Sequence, residues 1–171
     1  MILKENKALF LDRDGVINED YGYVYLQRDF KFRDGVIKTL KSFQDLGFIL
    51  LVVTNQSGIG RGYFTSKDFK LLDDYMKSIL NKNNISIHKT YYCPHIPEDN
   101  CLCRKPKTKM IEEAIEEYNI SRQDSIFIGD KESDYLASKN SGIGHFFYLG
   151  KSQISGLKQY NSIEKILLEY K

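Results

Sequence analysis

Short apolar runs alternate with amphipathic stretches along this chain. Ala8-Leu9-Phe10-Leu11 is unbroken apolar sequence that stops at Asp12, which predicts a buried strand. Asp14 to Arg33 is polar and aromatic and reads as a long loop. Val36, Ile37, Leu40, Phe43 and Leu46 then recur at helical spacing, with Gly47 as a stop signal. Phe48-Ile49-Leu50-Leu51-Val52-Val53 is the pattern of a strand covered on both faces, and Thr54-Asn55-Gln56-Ser57-Gly58 has the composition of a loop. Thr65 and Asp68 form a capping pair for a helix that turns Phe69, Leu72, Met76, Ile79 and Leu80 inward. Thr90-Tyr91-Tyr92 predicts a third strand running into Cys93, and a helix follows with Met110, Ile111, Ala114, Ile115 and Tyr118 inward. Ser125-Ile126-Phe127-Ile128 is a strand ending at Gly129-Asp130, and a short helix runs on to Gly142. His145-Phe146-Phe147-Tyr148-Leu149 is the last strand, and Ile163, Ile166, Leu167 and Tyr170 mark a terminal helix. Strict alternation of strand and helix predicts an α/β protein with a parallel sheet and helices on both faces.

Composition narrows this picture rather than changing it. A chain of 171 residues, 42% hydrophobic and 28% charged, fits one ordinary globular domain, 1–171. The net charge of +2 is too slight to draw nucleic acid or an anionic membrane by bulk electrostatics. No stretch reaches the roughly 18–20 apolar residues of a membrane span. The start, Met1-Ile2-Leu3-Lys4-Glu5-Asn6, lacks the apolar core of a secretory signal. The expected compartment is therefore the cytoplasm, where clustered cysteines are metal ligands or catalytic groups rather than disulfides.

Three predicted strands end in reactive polar residues: Asp12 and Asp14, Thr54 and Asn55, Gly129 and Asp130. In open parallel sheets, ligands bind beyond the carboxyl ends of the strands. Each signal alone reads equally well as a turn, but together they predict one converged site. The four segments Asp12-Arg13-Asp14-Gly15, Thr54-Asn55-Gln56-Ser57-Gly58, Arg104-Lys105-Pro106 and Gly129-Asp130-Lys131-x-x-Asp134 resemble the haloacid dehalogenase-like phosphatase superfamily. The resemblance spans roughly Lys7 to Leu149 and implies a Rossmann-like three-layer sandwich with a mainly parallel central sheet and no large cap domain. It also implies Mg²⁺-dependent phosphoryl transfer.

That resemblance assigns roles. Asp12 would attack phosphorus, and Asp14 would protonate the leaving oxygen and later activate water. Asp12, Asp130 and the Asp14 backbone carbonyl would hold Mg²⁺, a hard cation suited to oxygen ligands, with Asp134 behind them. Thr54, Asn55 and Lys105 would stabilise the phosphoryl oxygens, and Arg104 would grip a second anionic group.

The remaining cluster is Cys93-x-His95 and Cys101-x-Cys103, which contains all the cysteines of the chain. Three thiolates and one imidazole fill a tetrahedral Zn²⁺ shell and leave no open position, so the predicted zinc is structural. Its expected task is to stiffen the loop 93–103 that delivers Arg104 and Lys105. The competing reading is a set of reduced thiols beside a chance histidine. His88 and His145 are expected to be structural or exposed.

Within the superfamily, the zinc loop followed by Cys-Arg-Lys-Pro resembles a group that holds heptose bisphosphatases and histidinol-phosphate phosphatases. The first loop, with Asp20, Tyr21, Gly22 and Tyr23, resembles the heptose branch, as do the Gln56, Ser57 and Arg61 segment and Tyr91-Tyr92-Cys93-Pro94-His95. Two departures are visible. Only Ile96 to Asn100 separate His95 from Cys101, as in the histidinol-phosphate branch, and Lys107-Thr108-Lys109 stands where a Pro-Gly is usual. The longer matches favour the heptose branch, which implies removal of a C7 phosphate from a small soluble sugar bisphosphate on the way to nucleotide-activated heptose and surface polysaccharide. Lys131, Arg61 and Arg104 are then candidate contacts to that substrate, and a monomer is the expected state. The non-enzyme alternative, a zinc-dependent nucleic-acid module, is disfavoured by the slight net charge.

Overall fold

A computed structural model describes residues 5–170; most of the N-terminal stretch read above for a secretory signal, Met1–Lys4, lies outside them. Five strands form one sheet in the order β3-β2-β1-β4-β5: β1 Ala8–Leu11, β2 Ile49–Asn55, β3 Ile87–Cys93, β4 Ile126–Gly129 and β5 His145–Tyr148. All four pairings are parallel. The helices between them are α1 Val36–Asp45, the single turn α2 Ser57–Gly60, α3 Ser66–Lys82, α4 Lys109–Tyr118, α5 Glu132–Asn140 and α6 Ile163–Tyr170.

Period-two alternation in the strands builds the three layers. Leu9, Leu11, Leu50, Val52, Ile126 and Ile128 face one core, with residues of α1, α3 and α6. Ala8, Phe10, Leu51, Val53 and Phe127 face the other, with Met110, Ile111 and Ala114 of α4 and Ala137 of α5. The Thr65–Asp68 box caps α3 in both directions, as its sequence predicts.

Beyond single-residue shifts at strand ends, three features differ from the sequence reading. β2 runs on through Thr54 and Asn55, because β3 continues to pair with it as far as Asn55 opposite Cys93. β3 starts three residues earlier than expected, at Ile87. Ser57–Gly60 is a helical turn rather than open loop. The long loop after Asp14 is also better anchored than its composition implies, since Val16, Ile17, Val24 and Phe30 are buried in the first core. The stretch 150–161, hard to read from sequence, returns to the sheet where the Tyr160 N–H donates to the Tyr148 carbonyl at 2.9 Å.

Candidate active site

The carboxyl ends of β1, β2 and β4 meet at one rim of the sheet. Asp12 leaves β1, donating its backbone N–H to the Ile128 carbonyl at 3.1 Å, and the residue is 4% exposed. Lys105 arrives from the loop after β3. Its ammonium lies 3.0 Å from Asp12 Oδ1 and 2.7 Å from Asp134 Oδ1, and donates to the Val53 carbonyl at 2.7 Å. The Asp134 contact is an ion pair by proximity; its angle is too poor for a well-formed hydrogen bond. Asp134 caps the turn after β4 by accepting the backbone N–H groups of Asp130 and Lys131 on Oδ2, each at 3.1 Å.

The electrostatics follow from burial and from these neighbours. Burial pushes the Asp12 carboxyl up, but the positive charges of Lys105 and Lys131 outweigh it and hold the group below its ordinary value. For Asp130, burial and then the Asp12 charge act in the same direction and raise it to about 8. Burial also raises Asp134, against the opposing charge of Lys105. Lys105 goes the other way: burial disfavours its charge, yet the two aspartates win and raise its pKa.

Ligand oxygens of Asp12, Asp130 and Asp134 all lie within 4.8 Å of one another, and Asp130 Oδ1 is buried without a hydrogen-bond partner. Three crowded carboxylates and an orphaned oxygen fit a hard divalent cation such as Mg²⁺. The local backbone is built for this crowding. Gly15 has φ +86°, and a Cβ there would sit 2.1 Å from Asp130 Oδ2. At Gly129 a Cβ would meet that of Asp134 at 2.3 Å.

Above this floor is a cleft of about 270 Å³ lined by Asp14, Asp20, Gly22, Tyr23, Asn55, Gln56, Ser57, Gly58, Arg104, Lys131 and Ser133. Most of the residues expected from sequence therefore do converge. Lys131 pairs with Asp20 at 3.4 Å across the mouth. Tyr21 and Arg61 are exposed and stand outside the lining. Ser133 lines it without having been anticipated. Asn55 uses its side chain on the backbone of Lys105, accepting its N–H at 3.0 Å and donating to its carbonyl at 3.1 Å. Gln56 turns inward, donating to Thr54 Oγ1 at 2.9 Å and Asp14 Oδ2 at 2.8 Å.

The second cluster sits beside the first. Cys93 closes β3 within the second core, and Cys101 and Cys103 pack against it. The Sγ atoms of Cys93 and Cys103 are 3.0 Å apart, those of Cys93 and Cys101 3.5 Å, and those of Cys101 and Cys103 3.5 Å. His95 presents Nδ1 at 3.6 Å from Cys93 and 3.3 Å from Cys103. These separations are far beyond a bonded S–S pair of about 2.05 Å. They form a slightly compact tetrahedron, close to the roughly 3.8 Å edges that Zn–S bonds of about 2.3 Å require. The donor set thus fits Zn²⁺. His88 and His145 are exposed and take no part in the cluster.

The profile of the family described as Polynucleotide kinase 3 phosphatase matches residues 8–145. A D-glycero-beta-D-manno-heptose-1,7-bisphosphate 7-phosphatase of Helicobacter pylori is 49% identical over 83% of this chain and 82% of its own. The corresponding alpha-named enzyme of Campylobacter jejuni is 43% identical over 98% of this chain and 97% of its own. Among solved structures, the D,D-heptose 1,7-bisphosphate phosphatase of B. bronchiseptica, complexed with magnesium and phosphate, superposes with a TM-score of 0.83. It covers 95% of this chain and 99% of its own at 24% identity, which speaks for the shared fold. A HAD-like phosphatase from Mesorhizobium loti gives a TM-score of 0.81 at 27% identity, over 96% of this chain and 85% of its own. With acidic and cationic side chains gathered at the strand ends and relatives this similar over nearly its whole length, the chain belongs to the D-glycero-D-manno-heptose 1,7-bisphosphate 7-phosphatase family of haloacid dehalogenase-like phosphatases.

Proposed function

We propose that the chain removes the C7 phosphate of D-glycero-D-manno-heptose 1,7-bisphosphate, within the synthesis of nucleotide-activated heptose for surface polysaccharide. The observation that carries this reading is the buried Asp12 carboxylate, 3.0 Å from Lys105 and grouped with Asp130 and Asp134 beneath a small polar cleft. In the first step Asp12 attacks phosphorus, the P–O7 bond breaks, and Asp14 gives its proton to the departing sugar oxygen. In the second, water attacks the aspartyl-phosphate while Asp14 takes the water proton, and phosphate leaves with Asp12 restored. Mg²⁺, held by Asp12, Asp130 and the Asp14 carbonyl, would supply charge neutralisation between nucleophile and phosphoryl group. Thr54 and the Asn55 N–H serve the phosphoryl oxygens. Arg104 and Lys131, on the cleft wall, grip the anomeric phosphate.

The zinc shell of Cys93, His95, Cys101 and Cys103 is read as structural. One domain, 1–171, carries the whole activity as a monomer. No helix among the described residues is long and apolar enough to cross a membrane, and a cytoplasmic location suits a soluble sugar phosphate.

The test is phosphate release from both anomers of the heptose bisphosphate, from histidinol phosphate and from a 3′-phosphorylated oligonucleotide, with and without Mg²⁺. The expected result is the highest kcat/KM on one heptose anomer and none without the metal. A higher kcat/KM on either of the other substrates would overturn the reading.

A further inference from the structure

Arg13 heads the fully buried side chains by size, at 1% exposed. A guanidinium buried to this degree needs its charge met. Here the opposing charge and most of the hydrogen bonds come from one residue, while Nη1 is buried without a partner. Nε and Nη2 donate to Asp14 Oδ1 at 3.3 and 3.0 Å, and Nη2 also reaches Asp14 Oδ2 at 2.9 Å. Nη2 further donates to the Val24 carbonyl at 2.6 Å and approaches Gln56 Oε1 at 3.4 Å. The guanidinium carbon lies 5.5 Å from the Phe69 ring centroid, so α3 backs the group from behind. Asp14 has two further donors, Asn18 Nδ2 at 3.0 Å on Oδ1 and Gln56 Nε2 at 2.8 Å on Oδ2.

The division of cations is informative. Lys105 serves Asp12 and Asp134, and Lys131 serves Asp20. Among the described residues, the ion pair with Arg13 is the one that Asp14 makes. Arg13 is absent from the cleft lining whereas Asp14 is part of it, so Arg13 meets the reaction through Asp14. A planar fork fixes the direction of a carboxylate in a way that the point charge of a lysine does not.

We propose that Arg13 is the positioning residue of Asp14: its buried guanidinium sets the direction of that carboxylate at the cleft and, through the Val24 carbonyl, ties it to the loop that carries Asp20, Gly22 and Tyr23. This rests on the reading of Asp14 as the acid and base.

The decisive property is dependence on the leaving group. An alkyl oxygen needs protonation as it departs, whereas p-nitrophenolate does not, and kcat/KM reports the first step. Arg13→Lys keeps the charge and loses the fork. It should lower kcat/KM on the heptose bisphosphate at least about 10-fold, within the range general acid catalysis supplies, and change it less than about 3-fold on p-nitrophenyl phosphate. Equal losses on both substrates, or no loss, would overturn the proposal. Should Arg13→Lys fail to fold, the pair Arg13→Met with Asp14→Asn removes both charges of the ion pair together, so that neither is left unpaired. That double variant should match Asp14→Asn alone within about 3-fold, because Arg13 acts only through Asp14; a further loss of 10-fold or more would show an independent role. Asp14→Asn alone separates the two ideas. If it leaves the sugar substrate unimpaired, the acid–base reading itself fails; if it is impaired and Arg13→Lys is not, the positioning role alone fails.

Discussion

Lys105 is engaged before any substrate arrives: its ammonium donates to the Val53 carbonyl and lies in ion-pair contact with Asp12 and Asp134. On the proposed mechanism its first task is thus to keep Asp12 ionised, and its second would be to share charge with a phosphoryl oxygen. Removing it should hurt twice. Lys105→Met leaves two buried carboxylates unpaired, a cost of roughly 3–5 kcal/mol for breaking such a pair. At about 2–4 °C per kcal/mol for a domain of this size, the melting temperature should fall by roughly 6–20 °C, and turnover should drop to background. A thermal melt and a phosphate-release assay check both; a variant with unchanged melting would mean that this charge is not holding the floor of the site together. Asp12→Asn is the contrasting case. It removes one charge without changing shape, so turnover should vanish while the fold and the zinc content persist, and retained activity would move the nucleophile elsewhere.

The loop that carries the Cys/His cluster shows how one element delivers two cations by different means. Lys105 has its own anchor, the paired backbone bonds to the Asn55 side chain. Arg104 instead donates to the carbonyl of His95, a member of the cluster proposed to hold zinc, at 3.3 Å. Cys101→Ser should therefore release zinc, raise KM several-fold through Arg104, and lower kcat less, because Asn55 still seats Lys105. Metal analysis with steady-state kinetics tests this, and unchanged KM in the zinc-free variant would show that the ion does not position Arg104. Elements of this kind were legible in the sequence wherever a pattern is local: the cysteine spacing, the capping box at Thr65, the apolar runs of the strands. The extension of β2 through Thr54 and Asn55 was not, since only pairing with β3 makes those polar residues strand. The inward turn of Gln56 and the burial of Arg13 were hidden for the same reason, as each depends on partners that the fold alone brings near.

At the scale of the molecule, no large domain among the described residues covers the site, and its walls are loops that must hold one another. Two aromatic pairs join the loop 18–33 to the segment after β2. Tyr25 stacks on Phe64 with centroids 5.0 Å apart and planes 7° apart, and Tyr23 meets Tyr63 edge-on at 4.8 Å. The first pair is the foundation: Phe64 is buried and lies under Gly58, where a Cβ would strike its ring at 2.2 Å. The second is at the surface, with Tyr63 56% exposed and Tyr23 on the cleft wall in a left-handed backbone conformation, φ +53°. That conformation is unfavourable for a tyrosine and is held by its surroundings. Tyr63 is therefore the residue whose loss separates wall from fold. Tyr63→Ala should leave the melting temperature within about 2 °C, as exposed substitutions do, because the Tyr25–Phe64 stack and the core below remain. It should raise KM for the sugar bisphosphate several-fold while sparing kcat, since the proposed catalytic group of Asp12, Lys105 and Asp130 is held by contacts that do not include Tyr63. Equal KM for variant and parent would mean that the aromatic wall has no part in holding the sugar, and that the charged groups of the cleft suffice.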